Sequence, residues 1–402
     1  MIILVVNAGS SSLKYQLMNS EDGQVLAKGL AERIGIDGSQ IKYSRPDAEQ
    51  LVEVIDLPNH SVAMQRVLEL LTSEEYGVVE TMDAIDAVGH RVVHGGESFA
   101  GSCLIDDEVL DAIRAMIPLS PLHNPPNLAG IKACREAMPG KPQVAVFDTA
   151  FHQTMPAEAY MYALPYSFYA DHGVRRYGFH GTSHQYVAER AIALMGLPVE
   201  ETKIVTCHLG NGSSIAAVRA GKSIDTTMGM TPLAGVPMGT RCGDIDPAII
   251  RFMMNAKADD GLDIDRMDRI MNHESGVLGI SGVSSDFRDL YAAADEGNKR
   301  ARLALDMFIY QVTKAVGAYT AAMNGLNGLV FTAGIGENTP AIRAAVCERL
   351  GFLGIKINAE ANETRGKEIL ISTADSPVRV YCIPTNEELM IAKDTARLAA
   401  GV

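Results

Sequence analysis

The chain has 402 residues, of which 47% are apolar and 21% charged, with a net charge of −14. That length exceeds what one hydrophobic core supports, so two domains are expected. The negative charge repels phosphate backbones and argues against a nucleic-acid partner, and it requires any anion site to be locally cationic.

Met1–Val6 is apolar but short, has no basic stretch before it, and runs into Asn7-Ala-Gly-Ser-Ser11. It reads as a buried strand entering a turn, not as a leader. Leu13–Met18 alternates as its hairpin partner, and Val25–Gly29 continues the meander. Ser61–Thr72 has helical spacing, with Ser61 as its expected cap. Ala87–Val93 and Gln143–Phe147 are short apolar strands ending in charged residues, where open α/β sheets place their sites. Lys203–Cys207 and Ile215–Val218 flank His208-Leu-Gly-Asn-Gly-Ser-Ser214, which echoes the first hairpin. The echo fits either two domains built on one plan or chance reuse of turn residues.

Leu329–Thr332 leads into a third Gly-rich turn, Ala333–Asn338. A helix follows, with Thr339 as cap, Pro340 at its first position and Gly351 as its stop. Residues 299–323 form a long helix. A last one runs from about Glu387 to Leu398, capped by Thr385 or Asn386. The division is expected near Asp148–Phe151, with a return near Pro384. No apolar run approaches the roughly 20 residues of a membrane span. The six cysteines include no C-x-x-C pair, which fits reduced thiols in a cytoplasmic protein.

No P-loop and no complete dinucleotide fingerprint is present. His180 and His184 have the spacing of zinc ligands, but no Glu follows the first. The turn Asn7–Lys14 combines Gly9, Ser10, Ser12 and Lys14, more donors than a plain hairpin needs, and points to phosphate; Asn7 offers an oxygen to a hard cation. Arg91, followed by Val92, Val93 and Gly95-Gly96, suits a fork aimed at a carboxylate or phosphate. Asp148 ends an apolar strand and reads as a site carboxylate, a cap or a salt-bridge partner. Arg175–His184 is dense in donors, and Asp225–Asp244 reads as an ordered loop around Arg241. Ser284–Arg288 fits a site or a capping Asp beside a surface Arg.

Together the segments Asn7–Lys14, Arg91–Glu97, Phe147–His152, Arg176–His184, His208–Ser214, Thr226–Asp244, Ser281–Arg288 and Gly334–Asn338 resemble the acetate kinase family, from residue 2 to about 398. The resemblance implies an α/β fold of two duplicated βββαβα domains, actin-like and ribonuclease H-like, with a cleft between them. They would span residues 1–149, completed by a C-terminal helix at 385–402, and residues 150–384, the latter carrying nucleotide and a homodimer interface. It further implies a cytoplasmic enzyme that reversibly moves the γ-phosphoryl of ATP onto acetate. The alternatives are a propionate or butyrate kinase and an Hsp70- or actin-like ATPase.

Carried over by residue, Arg91, Asp148, His180 and Arg241 resemble catalytic positions. Ser10, Ser12, Lys14, His208, Leu209, Gly210, Asn211, Gly212, Asp286, Phe287, Arg288, Gly334, Ile335, Gly336, Glu337 and Asn338 resemble contacts to ATP. Val93, Leu122, Phe179 and Pro232 resemble an acyl pocket shared with Arg91. Asn7 and Glu387, in preference to Glu388, resemble positions associated with Mg²⁺, for which Mn²⁺ could substitute. A carboxylate acceptor is already ionised, so Asp148 is expected to orient a metal or an arginine and not to act as a base.

Overall fold

The structure, a computed structural model, describes residues 1–257 and 260–401. It divides into two compact units, Met1–Gln153 with Asn386–Val402, and Thr154–Thr385. Val402, inside the C-terminal stretch expected at 385–402, lies outside the described residues, as do residues 258 and 259 of the second domain.

In the first unit β1 (Ile2–Gly9), β2 (Ser12–Asn19), β3 (Val25–Glu32), β4 (Gln40–Ser44) and β5 (Leu51–Val54) form an antiparallel meander. β6 (Ala87–Val92) and β8 (Gln143–Phe147) add in parallel beside β1, and β7 (Cys103–Leu104) closes the edge, giving the order β5-β4-β3-β2-β1-β6-β8-β7. The alternation of β1 explains the layering. Leu4 and Val6 pack with Met64 and Val67 of the helix His60–Thr72, while Ile3 and Val5 pack with Ile391 and Ala392 of the C-terminal helix Glu387–Ala399. Period-two side chains thus serve two covered faces.

The second unit repeats the plan. β9 (Lys203–Leu209), β10 (Ser213–Arg219) and β11 (Lys222–Thr226) form the meander, and β12 (Gly328–Thr332), β13 (Ile369–Leu370) and β14 (Arg379–Cys382) complete the order β11-β10-β9-β12-β14-β13. The run β3-β2-β1-β6-β8 of the first sheet matches β11-β10-β9-β12-β14 of the second, so the hairpin echo reflects duplication of one fold. Val205, Cys207, Leu329 and Phe331 pack on Leu305, Phe308 and Val312 of the helix Lys299–Ala322. The opposite face carries the helix Gly181–Met195.

Three local expectations need correction. The first helix starts at His60 because Asn59 is extended and its Oδ1 accepts from Val62 N at 3.0 Å; Ser61 instead donates to Glu136. Ala333–Asn338 is a short helix and not a turn, held by the Glu337 carboxylate, which accepts from Ala333 N at 2.8 Å. Thr339 precedes the helix Pro340–Arg349 without a capping side-chain bond, and that helix ends before Gly351, which opens a single tighter turn. Of the two C-terminal cap candidates, Asn386 takes the role, accepting from Leu389 N at 3.0 Å.

Candidate active site

In the first unit the site groups gather at the ends of β1 and β6. Arg91 projects from β6, and its Nε and Nη2 grip Asp148 Oδ1 and Oδ2 at 3.0 and 2.6 Å, just past the end of neighbouring β8. The Asp148 side chain is 2% exposed and that of Arg91 24%. Asp148, then burial acting in the opposite sense, set the Arg91 pKa, with a net rise. The loop after β6 is fixed by buried amides of the helix Asn124–Ala137: Asn127 accepts from Val93 N, and Asn124 both accepts from His94 N and donates to its carbonyl. Gly95 is required there, since a Cβ would come within 2.7 Å of the Phe147 ring. Val93 is buried and Leu122 is 69% exposed.

Asn7, Lys14, Arg91, Glu387 and Glu388 line one small cavity. Lys14 pairs with Glu388. Glu387 is different: its Oε1 is buried and has no hydrogen-bond partner among the described residues. Burial above all pushes its carboxyl up to about 7, with Asp148 and Glu388 adding to the rise and Arg91 and Lys14 opposing it. An orphaned carboxylate oxygen near an amide oxygen suits a hard cation. Among the described residues no group of three or more His, Cys, Asp or Glu is placed to hold a metal ion. Ser10, in the two-residue turn between β1 and β2, is exposed, and Ser12, the first residue of β2, is partly so.

In the second unit Arg241 has no carboxylate partner among the described residues. Its Nη1 donates only to the Pro232 carbonyl at 3.3 Å, with Met238 Sδ at 3.8 Å. Burial lowers its pKa. A Cβ on Gly212 would lie 3.3 Å from Arg241 Nη1 and 3.6 Å from His180 Nε2, so the absence of a side chain leaves a cradle between two donors. His180 stacks on His208, ring centroids 4.1 Å apart, and Phe179 beside it is buried. Arg175 and Arg176, part of the donor-rich run, serve structure: Arg175 lies over the Tyr160 ring at 3.7 Å, and Arg176 Nη1 donates to the carbonyls of Thr226 and Thr227. Zinc spacing at His180 and His184 leads nowhere, because both His184 nitrogens are taken by Thr206 and Ser214.

A cavity of about 530 Å³ brings together Gly210, Asn211, Asp286, Phe287, Arg288, Gly334, Ile335 and Asn338. Asp286 also caps the helix Phe287–Asp295 and pairs with exposed Arg288, as the capping reading of that segment expects. His208, Leu209 and Gly212 belong to the adjoining hairpin, while Gly336 and Glu337 stand behind the wall. Sequence reasoning missed Ser285, Thr339 and Arg365, which line the same cavity. It also missed Arg343, fully buried without a carboxylate partner, which donates to the carbonyls of Gly336, Glu337 and Thr364 and to Asn362 Oδ1. Only the tertiary meeting of two segments reveals it.

Two units of one plan, each with a meander feeding parallel strands, define an actin-like ATPase fold. The acetokinase family model matches residues 2–393. The acetate kinase of Halothermothrix orenii is 58% identical over 99% of both chains. The crystal structure of Porphyromonas gingivalis acetate kinase aligns with a TM-score of 0.95 at 49% identity, covering 99% of each chain. That of a propionate kinase from Francisella tularensis aligns at 0.90 and 41%, also covering 99% of each. The chain belongs to the acetokinase family.

Proposed function

We propose that this protein reversibly transfers the γ-phosphoryl group of ATP to acetate, giving acetyl phosphate and ADP by direct in-line displacement. The observation that carries the reading is the cradle over Gly212, where a Cβ would come within 3.3 Å of Arg241 Nη1 and 3.6 Å of His180 Nε2, and where Arg241 has no carboxylate partner among the described residues. Acetate attacks as an anion and needs no base; the barrier lies in bringing it to a polyanion. Arg241 and His180 stabilise charge on the transferring oxygens, and Arg91, oriented by Asp148, holds the acyl carboxylate. Val93, buried beside Arg91, bounds the methyl end. The 530 Å³ cavity of the second unit takes the nucleoside, and Lys14 with the serine turn of the first unit supplies phosphate contacts.

Asn7 and Glu387 would hold Mg²⁺, with Mn²⁺ as a substitute; when bound, the ion neutralises phosphate charge. No helix among the described residues is long and apolar enough to cross a membrane. A cytoplasmic location is supported by six cysteines that are all free of disulfides. A homodimer is supported by exposed apolar side chains on the second unit, Leu303, Met307 and Tyr310 following one another on a single helix face.

The test is trapping of acyl phosphate by hydroxylamine with MgATP and acetate, propionate or butyrate. Acetate should lead, with propionate a real but poorer substrate, because one methylene is worth about 1–3 kcal/mol in an apolar pocket. Gly212→Ala, which fills the cradle, should lower kcat about tenfold or more. Hydrolysis of ATP that ignores every short carboxylate would instead identify an ATPase, and a preference for propionate would move the protein to that branch.

A further inference from the structure

Behind His180 runs a chain of buried polar groups that nothing in the phosphoryl-transfer reading uses. Thr206 Oγ1 lies 2.7 Å from His184 Nδ1, His184 Nε2 lies 2.7 Å from Ser214 Oγ, and Ser214 Oγ lies 2.8 Å from His180 Nδ1. Thr206, His184 and Ser214 are each 0% exposed. They come from three elements, since Thr206 faces inward from β9, Ser214 from β10 and His184 from the helix Gly181–Met195.

Donor and acceptor accounting gives this chain one direction. The Thr206 hydroxyl has a single hydrogen-bond partner among the described residues, His184 Nδ1. Were that nitrogen to carry a proton, the Thr206 hydrogen would be left buried without an acceptor. His184 Nδ1 therefore accepts. A neutral His184 then carries its proton on Nε2 and donates it to Ser214 Oγ. The hydroxyl hydrogen of Ser214 is left for its other partner, His180 Nδ1. His180 thus accepts at Nδ1 and bears its own proton on Nε2, the nitrogen that faces the space over Gly212. Placing the proton of His180 on Nδ1 would require the whole chain to reverse and would leave the Thr206 hydrogen without an acceptor among the described residues.

We infer that Thr206, His184 and Ser214 are positioning residues that lock His180 as a neutral imidazole with its proton on Nε2, aimed at the transferring phosphoryl group. This rests on the kinase reading for what His180 meets, but not for the state of the ring. The histidine then contributes an oriented hydrogen bond and gives up no proton. The positive charge of this half of the site is left to Arg241. The device suits a reaction whose nucleophile has no proton to lose.

The experiment is nitrogen-15 NMR of histidine-labelled protein at pH 7 to 8, with the His180 signals identified by their loss in His180→Gln. Wild type should show an unprotonated Nδ1 and a protonated Nε2 at His180. Ser214→Ala should mix the two tautomers. Thr206→Val, which keeps the shape and removes the hydroxyl, should do the same and lower kcat about three- to tenfold with KM for ATP and acetate nearly unchanged, whereas Thr206→Ser should restore both. A proton on Nδ1 of wild-type His180, as the other tautomer or as imidazolium, overturns the inference. So does a Thr206→Val enzyme with wild-type tautomer and rate. A locked tautomer in a protein without acetate-dependent activity would sink the kinase reading and leave the lock standing.

Discussion

Arg91 and Arg241 are the same residue type in opposite circumstances. Arg91 is gripped through two nitrogens by a nearly inaccessible carboxylate, whereas Arg241 is partly buried with only a carbonyl and a sulfur against it. Replacing either with Ala should lower kcat by about 10²-fold or more, because each removes a fixed donor from a developing charge. Stability should separate them. Arg91→Ala strands Asp148 as an uncompensated buried charge and should cost about 3 kcal/mol in urea unfolding. Arg241→Ala removes a desolvated cation that has no counter-ion among the described residues and should cost little or nothing. Lys should rescue both poorly, since a point charge does not reproduce a planar fork. Equal destabilisation by the two Ala variants, or near-full activity in Arg241→Lys, would count against this division. Sequence spacing picked out both arginines from their glycine neighbours. The contrast between them was invisible there, because the partner of Arg91 stands fifty-seven positions along the chain and meets it only through β6–β8 pairing.

At the level of elements, the start of the helix Glu387–Ala399 delivers a buried carboxylate to the end of a cavity that begins at β1. Its pKa near 7 has a definite thermodynamic sign. The unfolded chain releases this proton near the ordinary value of 4.5 and the folded chain only near 7, so folding stability falls as pH rises between the two and is flat outside that window. The loss is on the order of 3 kcal/mol. Glu387→Gln should therefore gain on wild type in thermal melts at pH 8 and match it at pH 4. Added Mg²⁺ should stabilise wild type more at pH 8 than at pH 6 and should leave the Gln variant unmoved. A Gln variant with no relative gain at pH 8 would show that Glu387 is not held protonated. Arg343 works at the same scale. By joining the carbonyls at the end of Ala333–Asn338 to Asn362 and Thr364, it ties together the two segments that bring Asn338 and Arg365 to the 530 Å³ cavity.

For the whole molecule, the surface is acidic yet leaves large apolar groups in water on the second unit. Leu303 is 51% exposed, Met307 37%, Tyr310 52%, and Phe252, on the helix Ala248–Ala256, 69%. The first three are spaced i, i+4 and i+7, so they share one helix face, and such a face marks a contact surface. Sedimentation should find a dimer for wild type, and Leu303→Glu with Tyr310→Glu should shift it to monomer without loss of secondary structure. A wild-type monomer at micromolar concentration would remove the dimer from the proposal.

What the sequence determined alone was whatever depends on neighbours in the chain. The unbroken apolar run Ile2–Val6 marked a buried strand, the Asn-, Gly- and Ser-rich turns marked two hairpins, and Pro340 fixed a helix start, because each is set within a few residues by steric and hydrophobic patterning. The tertiary structure decided what depends on partners far along the chain. It spent Arg175 and Arg176 on tyrosine rings and carbonyls, chose Asn59 over Ser61 as a cap, left Arg241 without a counter-ion and oriented His180 through Thr206, His184 and Ser214. A side chain's type states which bonds it can make. Which of them it does make is settled by the other donors and acceptors buried with it, and those arrive only when distant strands and helices pack.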